Sequence, residues 1–276
     1  MTLRDIFLQA TSHPEPTPDW AIDRVAEMAV RHGARLSLGI CQVQLPPLSN
    51  WLANKLLSVD SIIAAENRKS TANVEAIISR FTKALPPELL GEISVIDTNG
   101  MAGSRQLTIT ARTHDLIIVP VHEHSRAELV AEDLIFESGR PVLLLPETHP
   151  PVFDSIAIAW DGGRAATRAL ADALPLCRQA SSVAVVQVTG EKDLFDTTPV
   201  SAAIRHLADH GIDAVPIEIT LDEEDAARTL QSFAVRNGRD LLVMGGFGQS
   251  RTREFILGGV TRSVLDNPKL PTLLSH

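Results

Sequence analysis

Apolar and polar residues alternate along this chain in two distinct patterns. Short runs such as residues 116–119 and 241–244 are apolar at every position, which is typical of strands that are buried on both faces of a sheet. Longer stretches such as residues 20–32 and 164–177 repeat their apolar residues every three or four positions, as amphipathic helices do. This alternation predicts parallel strands joined by crossover helices, and therefore an α/β fold.

The two patterns, together with helix-start and turn signals, give the bounds of the predicted elements. Strands are predicted at residues 3–9, 34–43, 92–97, 115–121, 141–146, 154–160, 182–188, 214–220, 240–244 and 271–274. Helices are predicted at residues 20–32, 61–84, 103–112, 125–137, 164–177, 200–210, 222–237 and 251–265.

The second half of the chain repeats the first. Similar segments pair as residues 4–10 with 154–160, 114–120 with 239–245, and 139–146 with 269–275. Self-similarity at so long a period indicates a duplicated domain rather than a solenoid. The proline-rich linker at residues 146–151 separates the copies. We therefore predict two tandem, doubly wound, five-stranded Rossmann-like domains at residues 1–148 and 152–276, each with a binding crevice where its strand order reverses.

The composition excludes several classes of protein. With 276 residues, of which 44% are apolar and 21% charged, the chain can bury a sizeable core and is neither disordered nor fibrous. Its net charge of −9 disfavours a nucleic-acid partner. Its lack of tyrosine and its aromatic content of 4% disfavour stacking on single strands. The two cysteines, Cys41 and Cys177, exclude a disulfide framework and are predicted to be small buried side chains.

The sequence also carries expectations about location. It has no run of 18 apolar residues, so we expect no membrane span. Acidic residues occur early, at Asp5, Glu15 and Asp19, and we identify no apolar signal-peptide segment. We therefore expect a cytoplasmic protein.

A glycine-rich segment follows the predicted strand at residues 240–244. Gly245, Gly246 and Gly248 come directly after the strand, and Gly258 and Gly259 lie further on. Glycine allows a close approach between backbone and ligand, and the amide groups at the start of a helix attract phosphate. The segment therefore predicts either a phosphate-binding turn or a tight strand-to-helix connection, and the glycines by themselves do not decide between the two.

The spacing of the glycines resembles the nucleotide signature of the universal stress protein family. That signature, Gly-x2-Gly-x9-Gly, falls here on Gly245, Gly248 and Gly258. The ending at residues 271–274, Pro-Thr-Leu-Leu, is also typical of the family. The resemblance is good over residues 154–276 and fainter over 1–146. It implies an adenine nucleotide α hydrolase-like fold for both halves, packed against each other as an internal pseudo-dimer.

The resemblance also implies where the nucleoside would lie. Asp161, after Ala159 and Trp160, matches the acidic residue that the family places near the adenine and the ribose. On the same side of the ligand, Val188 would line the base pocket. Met244 and Gly245 would border the nucleoside.

The phosphate end of the implied site lies in the glycine segment. Gly248 would face the phosphates, and the backbone N–H groups of Gly258, Gly259 and Val260 would bind the β- and γ-phosphates. The family commonly has Ser or Thr where this chain has Gly259, so a hydroxyl donor worth about 1 kcal/mol is missing. Thr261 is the candidate to replace it. The implied ligand is ATP, ADP or AMP, with Mg²⁺ as an optional companion.

The first half departs from the signature. Pro120 and Glu123 stand where the second half has Gly245 and Gly248, and Ala10 and Thr11 stand where it has Trp160 and Asp161. Proline removes an N–H group, and a carboxylate repels phosphate. We therefore predict that the first half has lost its nucleotide site.

Several other residues allow both a functional interpretation and a plainer structural one. His122 and His124 flank Glu123 and invite a metal site, but a solvated loop is the favoured interpretation because a third ligand is not evident. The acidic residues 222–225 are interpreted as a helix start that matches the helix dipole. Trp160 can either cap a base or be a buried core residue. The apolar insertion at residues 45–63 is interpreted as a packed loop or a chain-to-chain contact in preference to a lid.

The favoured function is that of a cytoplasmic stress-response protein that binds an adenine nucleotide in its second half. No catalytic residue is assigned, and ATP hydrolysis is expected to be slow at most. The alternative is a ligand-free interaction protein of the same family, which acts through dimerisation and an unidentified protein partner. A nucleotidyl transferase is disfavoured, because a pair of catalytic histidines at the strand ends is not found.

Overall fold

The computed structural model describes residues 2–46, 59–97, 102–123, 125, 127–190, 198–223, 225–246 and 259–276. Within these ranges the chain forms ten strands and eight α-helices in the predicted order. The strands are β1 (Asp5–Thr11), β2 (Arg35–Gln42), β3 (Leu90–Asp97), β4 (Leu116–Val121), β5 (Val142–Pro146), β6 (Ser155–Ala159), β7 (Ser182–Thr189), β8 (Ala214–Thr220), β9 (Leu241–Gly245) and β10 (Thr272–Ser275). The helices are α1 (Asp19–His32), α2 (Val59–Ala84), α3 (Ala102–Ala111), α4 (Ala127–Glu137), α5 (Arg164–Cys177), α6 (Val200–Asp209), α7 (Ala226–Arg236) and α8 (Gly259–Asp266).

All ten strands belong to one continuous sheet. Its order is β3-β2-β1-β4-β5-β10-β9-β6-β7-β8, so each half contributes five adjacent strands in the same internal order. Strands within each half are parallel, whereas β5 and β10 meet antiparallel. The predicted pair of doubly wound five-stranded domains is therefore confirmed, and the two sheets are fused edge to edge.

The joint between the halves has near-twofold symmetry. Leu143 of β5 lies opposite Leu273 of β10, with Leu144 opposite Thr272 and Val142 opposite Leu274. The two leucines hold matching places in the repeat, so the pseudo-twofold axis passes between them. This is the internal pseudo-dimer that the family resemblance implies.

Helices cover both faces of the sheet and form two apolar cores. One core packs the sheet against α1, α2, α5 and α6, and the other packs it against α3, α4, α7 and α8. Each core contains residues from both halves, for example Leu143 and Leu273 in the first and Leu144 and Leu274 in the second. The consecutive apolar residues of β4 and β9 thus reflect strands that are buried on both faces.

Most predicted bounds agree with the structure to within two residues, and the differences have local causes. Helix α7 begins at Ala226 rather than at residue 222, because Asp225 caps it and accepts the N–H of Arg228 at 2.8 Å. Helix α2 begins at Val59, so the last residues of the predicted insertion are helical, and residues 47–58 lie outside the described residues. Residues 251–258 of the last predicted helix also lie outside them.

The predicted linker contacts helix α1 through Arg24. After β5 the chain turns at residues 147–149, where the N–H of His149 donates to the carbonyl oxygen of Pro146 at 3.3 Å. The guanidinium of Arg24 donates to the carbonyl oxygen of Glu147. The connection is thus held against the first half before β6 begins.

Candidate functional site

The strand order reverses between β6 and β9 in the second half. The chain leaves β6 toward β7 on one side, whereas β9 lies on the other side. Ile158 of β6 pairs with Val243 of β9, and Asp161 and Gly246 each follow three residues later. The crevice at such a reversal is the usual ligand site of an open parallel α/β sheet. The structure therefore brings the acidic end of β6 and the glycine exit of β9 to the same edge.

Asp161 is exposed and organises the turn that leads from β6 into α5. Its Oδ1 accepts the N–H of Gly163 at 2.8 Å, and Gly162 has a φ of +70°. A turn of this kind favours aspartate followed by glycine. Gly163 then caps α5, so the carboxylate stands beside the positive end of a helix dipole.

Gly245 is required by packing inside the protein. A Cβ atom at this position would lie 2.6 Å from the carbonyl carbon of Ala165 and 2.7 Å from the backbone nitrogen of Ala166. The first turn of α5 therefore lies directly against the end of β9. Close helix packing therefore explains this glycine whether or not a ligand is bound. The same packing brings the amide groups at the start of α5 to the crevice.

Gly246 is enclosed by two other elements. Its N–H donates to the carbonyl oxygen of Ser275 at 2.7 Å. A Cβ atom here would lie 3.1 Å from Cγ2 of Ile135, which belongs to α4 of the first half. The exit of β9 is thus in contact with both β10 and the other domain.

Four predicted nucleoside residues differ in how accessible they are. Trp160 is 5% exposed, and its Nε1 donates to the carbonyl oxygen of Thr198 at 2.9 Å. Ala159 and Met244 are also buried, whereas Val188 is half-buried. The burial of Trp160 favours the core role over capping of a base, and contact between these four residues and a ligand stays a prediction.

The predicted phosphate residues fall mostly outside the described ranges. Gly248 and Gly258 lie outside the described residues, whereas Gly259, Val260 and Thr261 form the start of α8. A helix start is the expected setting for phosphate-binding amides. Their role as ligand contacts stays a prediction.

The first half carries different chemistry at the equivalent place. The strand register puts Thr11 in the position of Asp161 and Pro120 in the position of Gly245. The hydroxyl of Thr11 donates to the carbonyl oxygen of His13 at 3.0 Å. Nε2 of the nearby His13 ring lies 3.3 Å from a carboxylate oxygen of Glu66 in α2. The loss of the nucleotide site in this half stays a prediction.

His122, the described one of the two candidate histidines, follows β4. Among the described residues, no three histidine, cysteine or acidic side chains come together as metal ligands would. Nδ1 of His122 is 3.2 Å from the carbonyl oxygen of Glu123, and burial is the main cause that lowers the pKa of His122. His124 lies outside the described residues.

The acidic segment before α7 belongs to the helix start, as predicted. Besides the cap made by Asp225, Asp222 forms an ion pair with Arg236 at 2.9 Å, and Glu223 accepts the hydroxyl of Ser232 at 3.1 Å. Asp222 and Arg236 also line a cavity of about 320 Å³ between β8 and α7. Their charges neutralise each other there, so the crevice between β6 and β9 is the stronger candidate site.

Both cysteines are buried, as predicted. Burial raises the pKa of the Cys41 thiol to about 11 and that of the Cys177 thiol to about 12. Neither thiol is available as a nucleophile near neutral pH.

Sequence reasoning missed several residues that build the site. Gly163, Thr198, Ser275 and Ile135 are absent from the predicted set, yet each contacts a predicted residue or its neighbour. The Asp161-Gly162-Gly163 sequence is itself a turn signal and identifies Gly163. The other three act through long-range contacts that leave no local pattern.

The sheet order and the crevice define a doubly wound α/β protein, a class in which nucleotides commonly bind at the strand reversal. The model of the universal stress protein family matches residues 153–276. These residues, the second half of the chain, therefore belong to the universal stress protein family. The first half repeats the same strand order, so the whole chain has the tandem form of that fold.

Solved structures have the same architecture over the full length. A universal stress protein from Archaeoglobus fulgidus DSM 4304 is 16% identical, with a TM-score of 0.65 over 98% of this chain and 97% of its own. A protein of unknown function from Pseudomonas aeruginosa PAO1 is 14% identical, with a TM-score of 0.57 over 99% of this chain and 92% of its own. At these identities the likeness establishes the fold.

A third structure resembles one half of the chain. It is a universal stress protein in complex with cAMP, 18% identical over 45% of this chain and 98% of its own, with a TM-score of 0.36. At that TM-score the likeness carries no conclusion about a ligand of this chain. No protein of curated function matches this chain in sequence. Each described helix is too short or too polar to cross a membrane.

Proposed function

We propose that the second half of this chain binds an adenine nucleotide in the crevice between β6 and β9, and that the protein acts in a cytoplasmic stress response. One observation carries the site: an exposed carboxylate, Asp161, and a glycine exit, Gly245–Gly246, end on adjacent strands where the strand order reverses. The family assignment of residues 153–276 supports the stress-response role.

The chemistry at this edge suits a nucleotide. A carboxylate can accept hydrogen bonds from the hydroxyl groups of a ribose, and the half-buried side chain of Val188 can form an apolar wall against a base. The start of α5 against Gly245 and the start of α8 at Gly259 present backbone amides, which attract phosphate. We propose ATP, ADP or AMP as the ligand, with Mg²⁺ as an optional companion of the outer phosphates.

The proposal assigns binding and no catalytic step. Asp161 already binds the N–H of Gly163, and we place it as a ligand contact rather than as a general base. Any ATP hydrolysis is therefore expected to be slow. We also propose that the protein forms a homodimer or acts as the pseudo-dimer described above, and that a protein partner transmits the signal.

The test is a search for the nucleotide in the purified protein. Mass analysis after denaturation identifies any co-purified ATP, ADP or AMP, and calorimetric titration with ATP, ADP, AMP and cAMP, with and without Mg²⁺, gives the affinities. Binding of an adenine nucleotide supports the proposal. The absence of both co-purified nucleotide and binding heat would establish the ligand-free interaction protein instead, for which the missing hydroxyl at Gly259 is the specific indication.

A further inference from the structure

Both backbone groups of Gly246 are bound by the end of β10 and the residue that follows it. Its N–H donates to the carbonyl oxygen of Ser275 at 2.7 Å, and its carbonyl oxygen accepts Nδ1–H of His276 at 3.1 Å. A carbonyl oxygen accepts and never donates, so this bond places a proton on Nδ1 of the ring. Ser275 and His276 therefore hold the backbone of Gly246, the last described residue at the exit of β9, in place.

Helix α4 of the first half contacts both His276 and Gly246. The ring of Phe136 meets the ring of His276 edge to face, with centroids 5.1 Å apart and an interplanar angle of 71°. Ile135, the preceding residue of α4, approaches Gly246 so closely that a Cβ atom there would lie 3.1 Å from its Cγ2. The first half thus supports the exit of β9 directly through Ile135 and indirectly through Phe136 and His276.

The equivalent positions on the other side of the pseudo-twofold axis, at the exit of β4 and after β5, have different residues. The register of the sheet puts Val121 in the place of Gly246 and Pro146 in the place of His276. Proline has no N–H group and no side-chain donor, so it cannot tether Val121 as His276 tethers Gly246. The repeat puts Asp266 in the place of Phe136. This support therefore runs from the first half to the second, which is the half that carries the glycine signature.

We propose that His276 is a positioning residue for the phosphate end of the nucleotide site, and that α4 of the first half holds it in place. The inference rests on the proposed function, because it concerns the same site. This inference gives the first half, which lacks the glycine signature, the role of supporting the site in the second half. Loss of the support loosens the exit of β9 and weakens contacts to the outer phosphates, while the base and ribose contacts at Asp161 are unaffected.

The experiment compares four variants of the full chain by calorimetric titration with ATP and with AMP. His276→Ala and Phe136→Ala should each weaken ATP by about three- to tenfold, the value of roughly one hydrogen bond, and AMP by less than about twofold. His276→Asn keeps a donor near the position of Nδ1 and should restore most of the ATP affinity. Leu129→Ala is the matched control, since Leu129 lies on the same helix and is 55% exposed.

Melting of each variant without nucleotide separates positioning from folding. Unchanged ATP affinity in folded His276→Ala and Phe136→Ala proteins would overturn the inference while leaving the proposed function intact. Equal losses of ATP and AMP together with a lower melting temperature, or failure of His276→Asn to restore ATP binding, would show a merely structural role. If the unaltered chain binds no adenine nucleotide, the proposed function and this inference fail together.

Discussion

At the scale of single residues, the crevice combines one charged side chain with positions where backbone must come close. Asp161 holds the turn into α5 through the N–H of Gly163, and its exposure leaves the carboxylate facing solvent at the strand reversal. Gly245 is needed because Ala165 and Ala166 pack against it. A glycine in a signature can therefore serve the fold and the ligand at once, and substitutions must be designed to separate the two.

Replacing Asp161 tests the nucleoside end of the site. We expect Asp161→Ala to weaken ATP and AMP alike by about tenfold or more, since a hydrogen bond to a charged group is worth about 1.5–3 kcal/mol. Asp161→Asn keeps the acceptor for Gly163 and isolates the effect of the charge. Thr11→Ala, at the equivalent place in the first half, is the control and should leave both affinities unchanged. A loss confined to ATP would move Asp161 to the phosphate end.

Restoring a hydroxyl at residue 259 tests the phosphate end. We expect Gly259→Ser to tighten ATP by up to about tenfold, the value of one added hydrogen bond of roughly 1.4 kcal/mol. AMP should change much less, because it lacks the outer phosphates. Combined with Asp161→Ala, the two effects should nearly add, since they act at opposite ends of the ligand.

The readout for residue 259 is titration together with melting in the absence of nucleotide. Gly259 begins helix α8, where serine in place of glycine also changes the stability of the helix, and the melting temperature separates that effect from binding. An unchanged ATP affinity in a stable Gly259→Ser protein, or an equal shift for AMP, would contradict the placement of the phosphates.

At the scale of elements, the site depends on how helix starts meet strand ends. Helix α5 begins at Arg164 against the end of β9, and α7 begins at Ala226 because Asp225 caps it. The indole of Trp160 fastens the end of β6 to Thr198, just before α6. The described parts of these connections are thus held by specific hydrogen bonds and a close backbone contact.

Substitutions in the glycine segment test whether it binds phosphate. We expect Gly248→Glu and Gly258→Val to abolish nucleotide binding while the fold persists. The first brings a carboxylate to the phosphates, and the second puts a β-branched side chain where backbone must approach. Glu123→Gly, the converse change in the first half, should leave the affinity unaltered. Circular dichroism confirms folding, and full affinity in a folded variant would show that the ligand lies elsewhere.

At the scale of the whole molecule, the two halves form one sheet and share two cores. The antiparallel joint of β5 and β10 has Leu143 opposite Leu273, and both apolar cores cross this joint. Burial and the neighbouring Asp133 raise the pKa of Glu132 in α4, against the opposing effect of Arg262 in α8. The two halves are thus joined mainly by the shared sheet and the shared apolar cores.

The shared cores predict cooperative unfolding. We expect a single transition in calorimetry, with the calorimetric enthalpy equal to the van 't Hoff enthalpy, because neither half can open without exposing both cores. A saturating adenine nucleotide should shift the whole transition upward through mass action. Two separate transitions, or a nucleotide effect on part of the transition, would contradict this expectation.

The asymmetry of the repeat predicts the number of sites. We expect one nucleotide per chain, bound within residues 154–276, because Pro120 and Glu123 replace two signature glycines in the first half. Titration of a chain of known active concentration gives the stoichiometry. Two equal sites per chain would remove the asymmetry and with it the supporting role of the first half.

The sequence by itself determined the order and the approximate bounds of the strands and helices, since burial on one or both faces leaves a periodic pattern in neighbouring residues. It also determined the duplication, and it selected Asp161 and the glycines at the ends of the right strands. These features are local, or they repeat at a fixed period.

The tertiary structure decided what depends on residues distant in the chain. Three features arise between separate elements. They are the antiparallel joint of β5 and β10, the hydrogen bond from the buried Trp160 to Thr198, and the packing of Ala165 on Gly245 and of Ile135 on Gly246. No spacing in the sequence encodes them, because side-chain packing across a sheet or between domains depends on which surfaces meet after the strands have paired. For the same reason His276, unremarkable in the sequence, became a candidate through its contacts with Gly246 and Phe136.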